Sequence, residues 1–283
     1  MRKASLEYVA SLERGLRVLQ TFSRDHPAPT LSEMAALTHL SPATARRALH
    51  TLEALGYVGR LGRRFLLGPK ALGIGAGYLS AINADIVLSP FLTDLVAHFG
   101  GGSSVTVLDG TEIICVALAS VSRAERHAFA TSVGSRLPAD ATAMGRVLLA
   151  FQPRAMLDAY FARTRRAIAT LSDTTAEALR RILDDIRCLG FATTQDTCDG
   201  GLVSVAVPIA APSGQVIAAA GCTDVADRYD ADALVNERLA RLRQAAARIE
   251  EALSRHPELV YSIVAGHFVQ RRPRTRLSQP AAG

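Results

Sequence analysis

The sequence predicts an α+β protein with an amino-terminal winged helix-turn-helix, a linker helix and a larger carboxy-terminal domain built on an antiparallel sheet. Three observations predict it. Apolar residues recur at helical spacing through the first 55 positions and are followed by a short basic hairpin. From Ser103 the pattern changes to alternation broken by tight-turn dipeptides, with helical stretches before and after the returning strands. The charge is unevenly divided: residues 1–84 hold 11 Lys plus Arg against 5 Asp plus Glu, whereas residues 85–283 hold 21 against 21. The whole net charge of +6 therefore sits on the first third, which suits a basic module that meets a polyanion and a second module that does not.

Leu12, Leu16, Leu19 and Phe22 mark the first amphipathic helix, which stops before the turn-forming stretch Asp25 to Pro29. Thr30 and Glu33 form a capping-box pair that opens a short second helix carrying Met34, Ala35 and Leu37. Ser41 is a good N-cap, Pro42 fits the first helical position, and a third helix is expected from Pro42 to Leu55, closed at Gly56. On a helical wheel Ala45, Ala48, Leu49, Leu52 and Leu55 share one side, while Ala43, Arg46, Arg47 and His50 share the other. A helix anchored by an apolar side and carrying arginines opposite suits the major groove of double-stranded DNA, where arginine donates two hydrogen bonds to guanine. Ser41 and Thr44 would reach neighbouring phosphates or bases. Taken alone, the two arginines could as well solvate an exposed face. The next segment decides against that, because Tyr57 to Leu67 reads as two short strands around Gly62-Arg63-Arg64, a wing whose Arg60, Arg63 and Arg64 would lie against phosphates or in a minor groove.

The run Tyr8-Val9-Ala10-Ser11-Leu12-Glu13-Arg14-Gly15-Leu16-Arg17-Val18-Leu19, the words Leu40 to Leu49, and Leu55-Gly56-Tyr57-Val58 resemble the IclR family of bacterial regulators. The resemblance covers roughly residues 8–254 and looks closest to the branch that controls aromatic-acid catabolism through the protocatechuate and beta-ketoadipate routes. It implies domains at 8–68 (winged helix-turn-helix), 69–84 (linker and dimerisation helix) and 85–255 (a GAF-like effector-binding domain), ahead of a basic tail at 256–283. Pro69 to Ala84 is helical in pattern, and its Gly73, Gly75 and Gly77 would allow close helix approach. They are not a dinucleotide fingerprint, since Tyr78 stands where the last glycine is required and no strand precedes them.

In the second module, strands are expected at Ser103 to Leu108 and Glu112 to Ala119 around Asp109-Gly110, with a third at His127 to Val133. Helices are expected at Ala143 to Phe151, Arg154 to Phe161 and Thr174 to Leu189, the last opened by Thr174 with Glu177 and closed at Gly190. Strands return at Phe191 to Asp196, Val203 to Ile209 and Val216 to Thr223, and a helix from Ala231 to Ser254 follows. The words Val133 to Pro138, Thr142 to Ala150 and Gly201 to Pro208 also resemble the family. Carried over from it, the effector pocket is implied to be lined by Thr142, Ala143, Met144 and Gly145 at a helix entrance, by Gln195 and Asp196, and by Ser204 and Thr223. Free amides at a helix amino end suit a carboxylate, so the implied effector is a small organic acid, aromatic or dicarboxylic. Thr197 and Gly221 depart from what relatives often carry, which leaves the acid unnamed.

The remaining expectations are negative or competing. The four cysteines are far apart and the seven histidines lack ligand spacing, so neither metal nor cofactor is expected. No apolar run reaches the length of a membrane helix, which with the charged amino end predicts a cytoplasmic location. With no nucleophile elbow or phosphate loop, the reading is a DNA-binding transcription regulator and not an enzyme. The alternatives are a small-molecule-binding protein or enzyme whose winged helix engages a protein. A homodimer or dimer of dimers would bind a pseudo-palindromic operator.

Overall fold

A computed structural model describes residues 8–23, 25–82, 84–121, 132–171, 175–195, 201–227 and 229–267. The chain divides into two compact units, residues 1–80 and 81–283.

In the first unit α1 (Ala10–Thr21), α2 (Leu31–Thr38) and α3 (Pro42–Ala54) precede a hairpin of β1 (Val58–Leu61) and β2 (Arg64–Leu67). Both expected caps form. Thr30 accepts from the Glu33 amide while the Glu33 carboxylate accepts from the Thr30 amide, and Ser41 accepts from the Thr44 amide ahead of Pro42. The turn between α2 and α3 passes through His39 at φ 52°, which lets the amides of His39 and Leu40 close on Ala36 and Ala35. Val18, Met34, Leu49, Leu52, Val58 and Phe65 form the core. The apolar stripe of the first helix is only half as expected: Leu19 and Phe22 pack on this core, but Leu12 and Leu16 are 62% and 47% exposed and Val18 is the buried residue of the helix. Pro69–Ala71 forms a single 3₁₀ turn that leads into α4 (Leu72–Ile82).

The second unit opens with a helix that periodicity did not reveal, α5 (Ala84–Phe99), which contains Pro90. Six antiparallel strands follow in the spatial order β5-β4-β3-β8-β7-β6. They are β3 (Gly102–Asp109), β4 (Glu112–Ser120), β5 (Arg136–Pro138), β6 (Ala192–Gln195), β7 (Leu202–Ala210) and β8 (Val216–Val225). β5 was not expected, and most of the strand expected at His127 to Val133 lies outside the described residues. One sheet face is covered by α5, α9 (Ala231–Ser254) and α10 (Pro257–His267), with Val105, Val205, Val207 and Ala220 beneath them. The other face carries α6 (Ala143–Ala150), α7 (Arg154–Leu171) and α8 (Ala176–Leu189) over Leu108, Ala206 and Ala219. Burial on both faces explains why β7 and β8 read as largely apolar runs.

Two boundaries need correction. Thr175, not Thr174, caps α8, accepting from the Ala178 amide, and Gly190 closes it at φ 74° as expected. The stretch expected to begin a solvated tail is helix α10 as far as His267. Leu259 and Ile263 are buried in the core, because the turn at Ser254 to His256 folds an apolar face back onto the sheet's helical layer. Residues 268–283 lie outside the described residues.

Candidate functional site

The first candidate surface is α3. Ala45, Leu49 and Leu52 are buried against the unit's core, so the helix is held by one side. Ala43, Arg46, Arg47 and His50 are all exposed on the other, with the arginines in the first half. His50 Nδ1 lies 3.4 Å from the Glu53 carboxylate. The hydroxyls of Ser41 and Thr44 lie 2.9 Å apart while Ser41 also caps the helix, so both are committed to the amino end of α3.

The wing places its three arginines differently. Arg60 Nε donates to the Gly62 carbonyl at 2.9 Å and its guanidinium lies over the Phe65 ring. Arg63 is exposed beside the turn at Gly62 (φ 61°). Arg64 Nη1 donates to the Ala28 carbonyl at 2.8 Å, in the segment ahead of α2. Across from that bond Glu33 is pinned by the capping box, and those hydrogen bonds from Thr30 hold its carboxyl below the usual range.

The second candidate surface lies between α6 and the sheet. Thr142 caps α6 by accepting from the Gly145 amide at 3.0 Å. This leaves the amides of Ala143 and Met144 pointing out of the first turn without an acceptor among the described residues, where the helix dipole favours an anion. The turn packs tightly because residue 145 has no side chain: a Cβ there would sit 2.2 Å from the Ala139 carbonyl oxygen. Below it, the pairing register puts Ser104 opposite Gly221 and Ser204 opposite Thr223. The Ser204 and Thr223 hydroxyls lie 2.9 Å apart, and Ser104 Oγ lies 3.2 Å from Met144 Sδ. Met144 covers Gly221 so closely that a Cβ at 221 would come within 2.9 Å of its side chain.

Of the residues expected at this site, Thr142, Ala143, Met144, Gly145, Ser204 and Thr223 therefore converge. Gln195 does not join them: it pairs with Val203, whose side chain belongs to the opposite face under α9. Asp196 lies outside the described residues. The two arginines near the helix are occupied structurally. Arg136 bridges Asp109 and Glu112, and Arg146 donates to the Asp140 carbonyl.

Comparison with known proteins matches both parts of the chain to known domains. The family model of the IclR helix-turn-helix domain matches residues 11–62, and that of the bacterial transcriptional regulator IclR C-terminal region matches residues 76–251. The chain belongs to the IclR family. It is similar to the Pca regulon regulatory protein of Pseudomonas putida, 36% identical over 75% of this chain and 73% of that one. A solved transcriptional regulator from Rhodococcus sp. RHA1 is 37% identical, with a TM-score of 0.66 over 88% of this chain and 99% of its own. An IclR homologue from Microbacterium hydrocarbonoxydans, solved in complex with 4-hydroxybenzoate, shares the fold at 24% identity and a TM-score of 0.62 over 86% and 99%.

As an IclR-family protein the chain is a DNA-binding transcription regulator with an effector domain, not an enzyme. In this regulator α3 is the second helix of the helix-turn-helix pair and β1–β2 is its wing. Three residues of the effector-domain surface escaped the sequence reading: Ser104, the buried Thr106 and Thr194, all on the α6 face by register. Ser104 and Thr106 were legible in principle as the polar beats of an alternating strand. Thr194 was hidden because assigning its face requires the pairing with Ser204.

Proposed function

We propose that this regulator controls an operon for aromatic-acid breakdown and that a small aromatic or dicarboxylic acid sets its affinity for a pseudo-palindromic operator. The observation that carries the effector half is the pair of amides of Ala143 and Met144, without an acceptor among the described residues, at the start of a helix that packs on the sheet face carrying the Ser204 and Thr223 hydroxyls. Such a site takes a carboxylate at the helix end and a polar substituent at the sheet. A relative named for the Pca regulon and a structural neighbour holding 4-hydroxybenzoate support the aromatic class.

The DNA half rests on the exposed Ala43, Arg46, Arg47 and His50, with Ser41 and Thr44 ordering the start of the helix and Arg60, Arg63 and Arg64 on the wing. Leu12 on α1 and Leu72 on α4, 62% and 76% exposed, support a homodimer, since large apolar side chains left in water favour association. Two copies would present two recognition helices to two half-sites. A DNA target assigns the regulator to the cytoplasm; among the described residues no helix is long and apolar enough to cross a membrane.

Ligand and operator affinities are then coupled reciprocally. The test is a thermal-shift screen of 4-hydroxybenzoate, protocatechuate and linear dicarboxylic acids, followed by operator titration with each stabilising acid. A stabilising acid that leaves operator affinity unchanged would refute the effector role. An Arg46→Ala, Arg47→Ala double variant that still binds operator with full salt dependence would refute the interface.

A further inference from the structure

We infer that Arg64 is a positioning residue for DNA binding, one that ties the wing to the segment ahead of α2, and that Arg63 is the phosphate-facing cation of the wing tip. The inference rests on the DNA-binding reading of the amino-terminal unit.

A hairpin of two four-residue strands has little stability of its own. Here it borrows a third segment. Thr30 and Arg64 form an isolated antiparallel bridge, the Phe65 amide donates to the Pro29 carbonyl at 3.0 Å, and the Arg64 guanidinium donates to the Ala28 carbonyl at 2.8 Å. The acceptor is stiff. Ala28 stands between Pro27 and Pro29, so its own backbone is biased to the extended region and that of Pro29 is fixed in φ. Glu33 Oε2 lies 4.0 Å from the same Arg64 nitrogen while it accepts from the Thr30 amide at 2.7 Å and the Thr30 hydroxyl at 3.1 Å. Arg64 thus faces two fixed acceptors on the body of the unit, along a cleft bounded by Asp25, His26 and Pro27. Arg63 is adjacent in sequence and sits exposed in the two-residue turn that joins β1 to β2. Among the described residues it has no hydrogen-bond or ion-pair partner. Arg63 is without a partner for its charge among the described residues, whereas Arg64 is already held by the Ala28 carbonyl with Glu33 nearby, and its part in DNA binding is to hold the wing in place.

Salt dependence separates the two roles, because only a residue that neutralises a phosphate changes the number of counterions released. Binding of the full chain to a 24-base-pair duplex of arbitrary sequence would be followed by fluorescence anisotropy across salt concentrations. Arg63→Ala is expected to lower the slope of log K against log salt by about 1. Arg64→Ala is expected to weaken binding about fivefold at every salt concentration, the equivalent of one net hydrogen bond, with the slope unchanged. Arg64→Gln, uncharged but still a donor, recovers part of that loss at the same slope. In the free protein, exchange of the Phe65 amide is expected to quicken about fivefold in Arg64→Ala and to stay as in the parent in Arg63→Ala. A slope lowered by about 1 in Arg64→Ala, or a Phe65 amide as protected in Arg64→Ala as in the parent, would overturn the inference. A parent chain that fails to bind the duplex would instead overturn the DNA-binding reading, and the exchange result would still decide the positioning role.

Discussion

The Arg238 guanidinium, fully buried in the second unit, donates to the Asp224 carboxylate at 2.6 Å and to the Phe99 carbonyl at 3.2 Å. It also lies over the Tyr229 and Phe99 rings at 4.7 and 5.4 Å. One side chain of α9 thereby ties the last residue of α5 to β8, one residue from Thr223.

Removing one member of this pair leaves the other charge in a region of low dielectric. Asp224→Asn is expected to cost about 3–5 kcal/mol of unfolding free energy in urea titration. Replacing both residues by apolar ones of similar volume, Asp224→Leu with Arg238→Met, should recover most of that loss. A single variant within 1 kcal/mol of the parent (roughly a fivefold change in the folding constant) would show that the pair is not desolvated in solution.

The close approach of α6 to the loop before it leaves no room for a side chain at Gly145. Gly145→Ala drives a methyl group into the Ala139 backbone and is expected to cost about 3 kcal/mol. Gly221→Ala meets a movable side chain, so about 1–2 kcal/mol is expected. Most of that should vanish when Met144→Ala is added. Calorimetry of the three single variants and the Gly221–Met144 pair tests this, and an additive pair would contradict the contact.

Burial pushes the Cys115 thiol up to about 12 and the Cys222 thiol up to about 11, from an ordinary value of 9.0. At pH 8 both are expected to resist iodoacetamide in the native protein while the exposed Cys188 is alkylated, as read by peptide mass mapping. The unfolded chain loses these protons first, so their contribution is complete below pH 9 and is lost as pH rises toward 11 and 12.

Ser41 stabilises the start of α3 through the Thr44 amide. Ser41→Ala is expected to cost about 1 kcal/mol whether or not DNA is present. Equal thermal stability of variant and parent would show that the cap does not hold in solution.

Much of the fold was legible because local chemistry and tertiary structure agree. Ser41-Pro42, the Thr30–Glu33 box and Gly190 each fix a helix end within a few residues, without help from distant contacts. α5 was missed for the opposite reason: Pro90 interrupts it and its apolar residues lack a clean period, so its existence depends on the sheet face it covers. α10 likewise becomes a helix because Leu259 and Ile263 find a core.

The sequence by itself determined the two-module plan, the basic amino-terminal third and the face of α3 that carries Arg46 and Arg47, since these follow from spacing along a single helix. Only the tertiary structure decided that Gln195 turns away from Ser204, that Leu12 and Leu16 stay in water, and that Arg64 is taken up by Ala28. Each of those depends on which segment, remote in the chain, lies across from the residue, and neither the three-to-four-residue period of a helix nor the two-residue period of a strand encodes that.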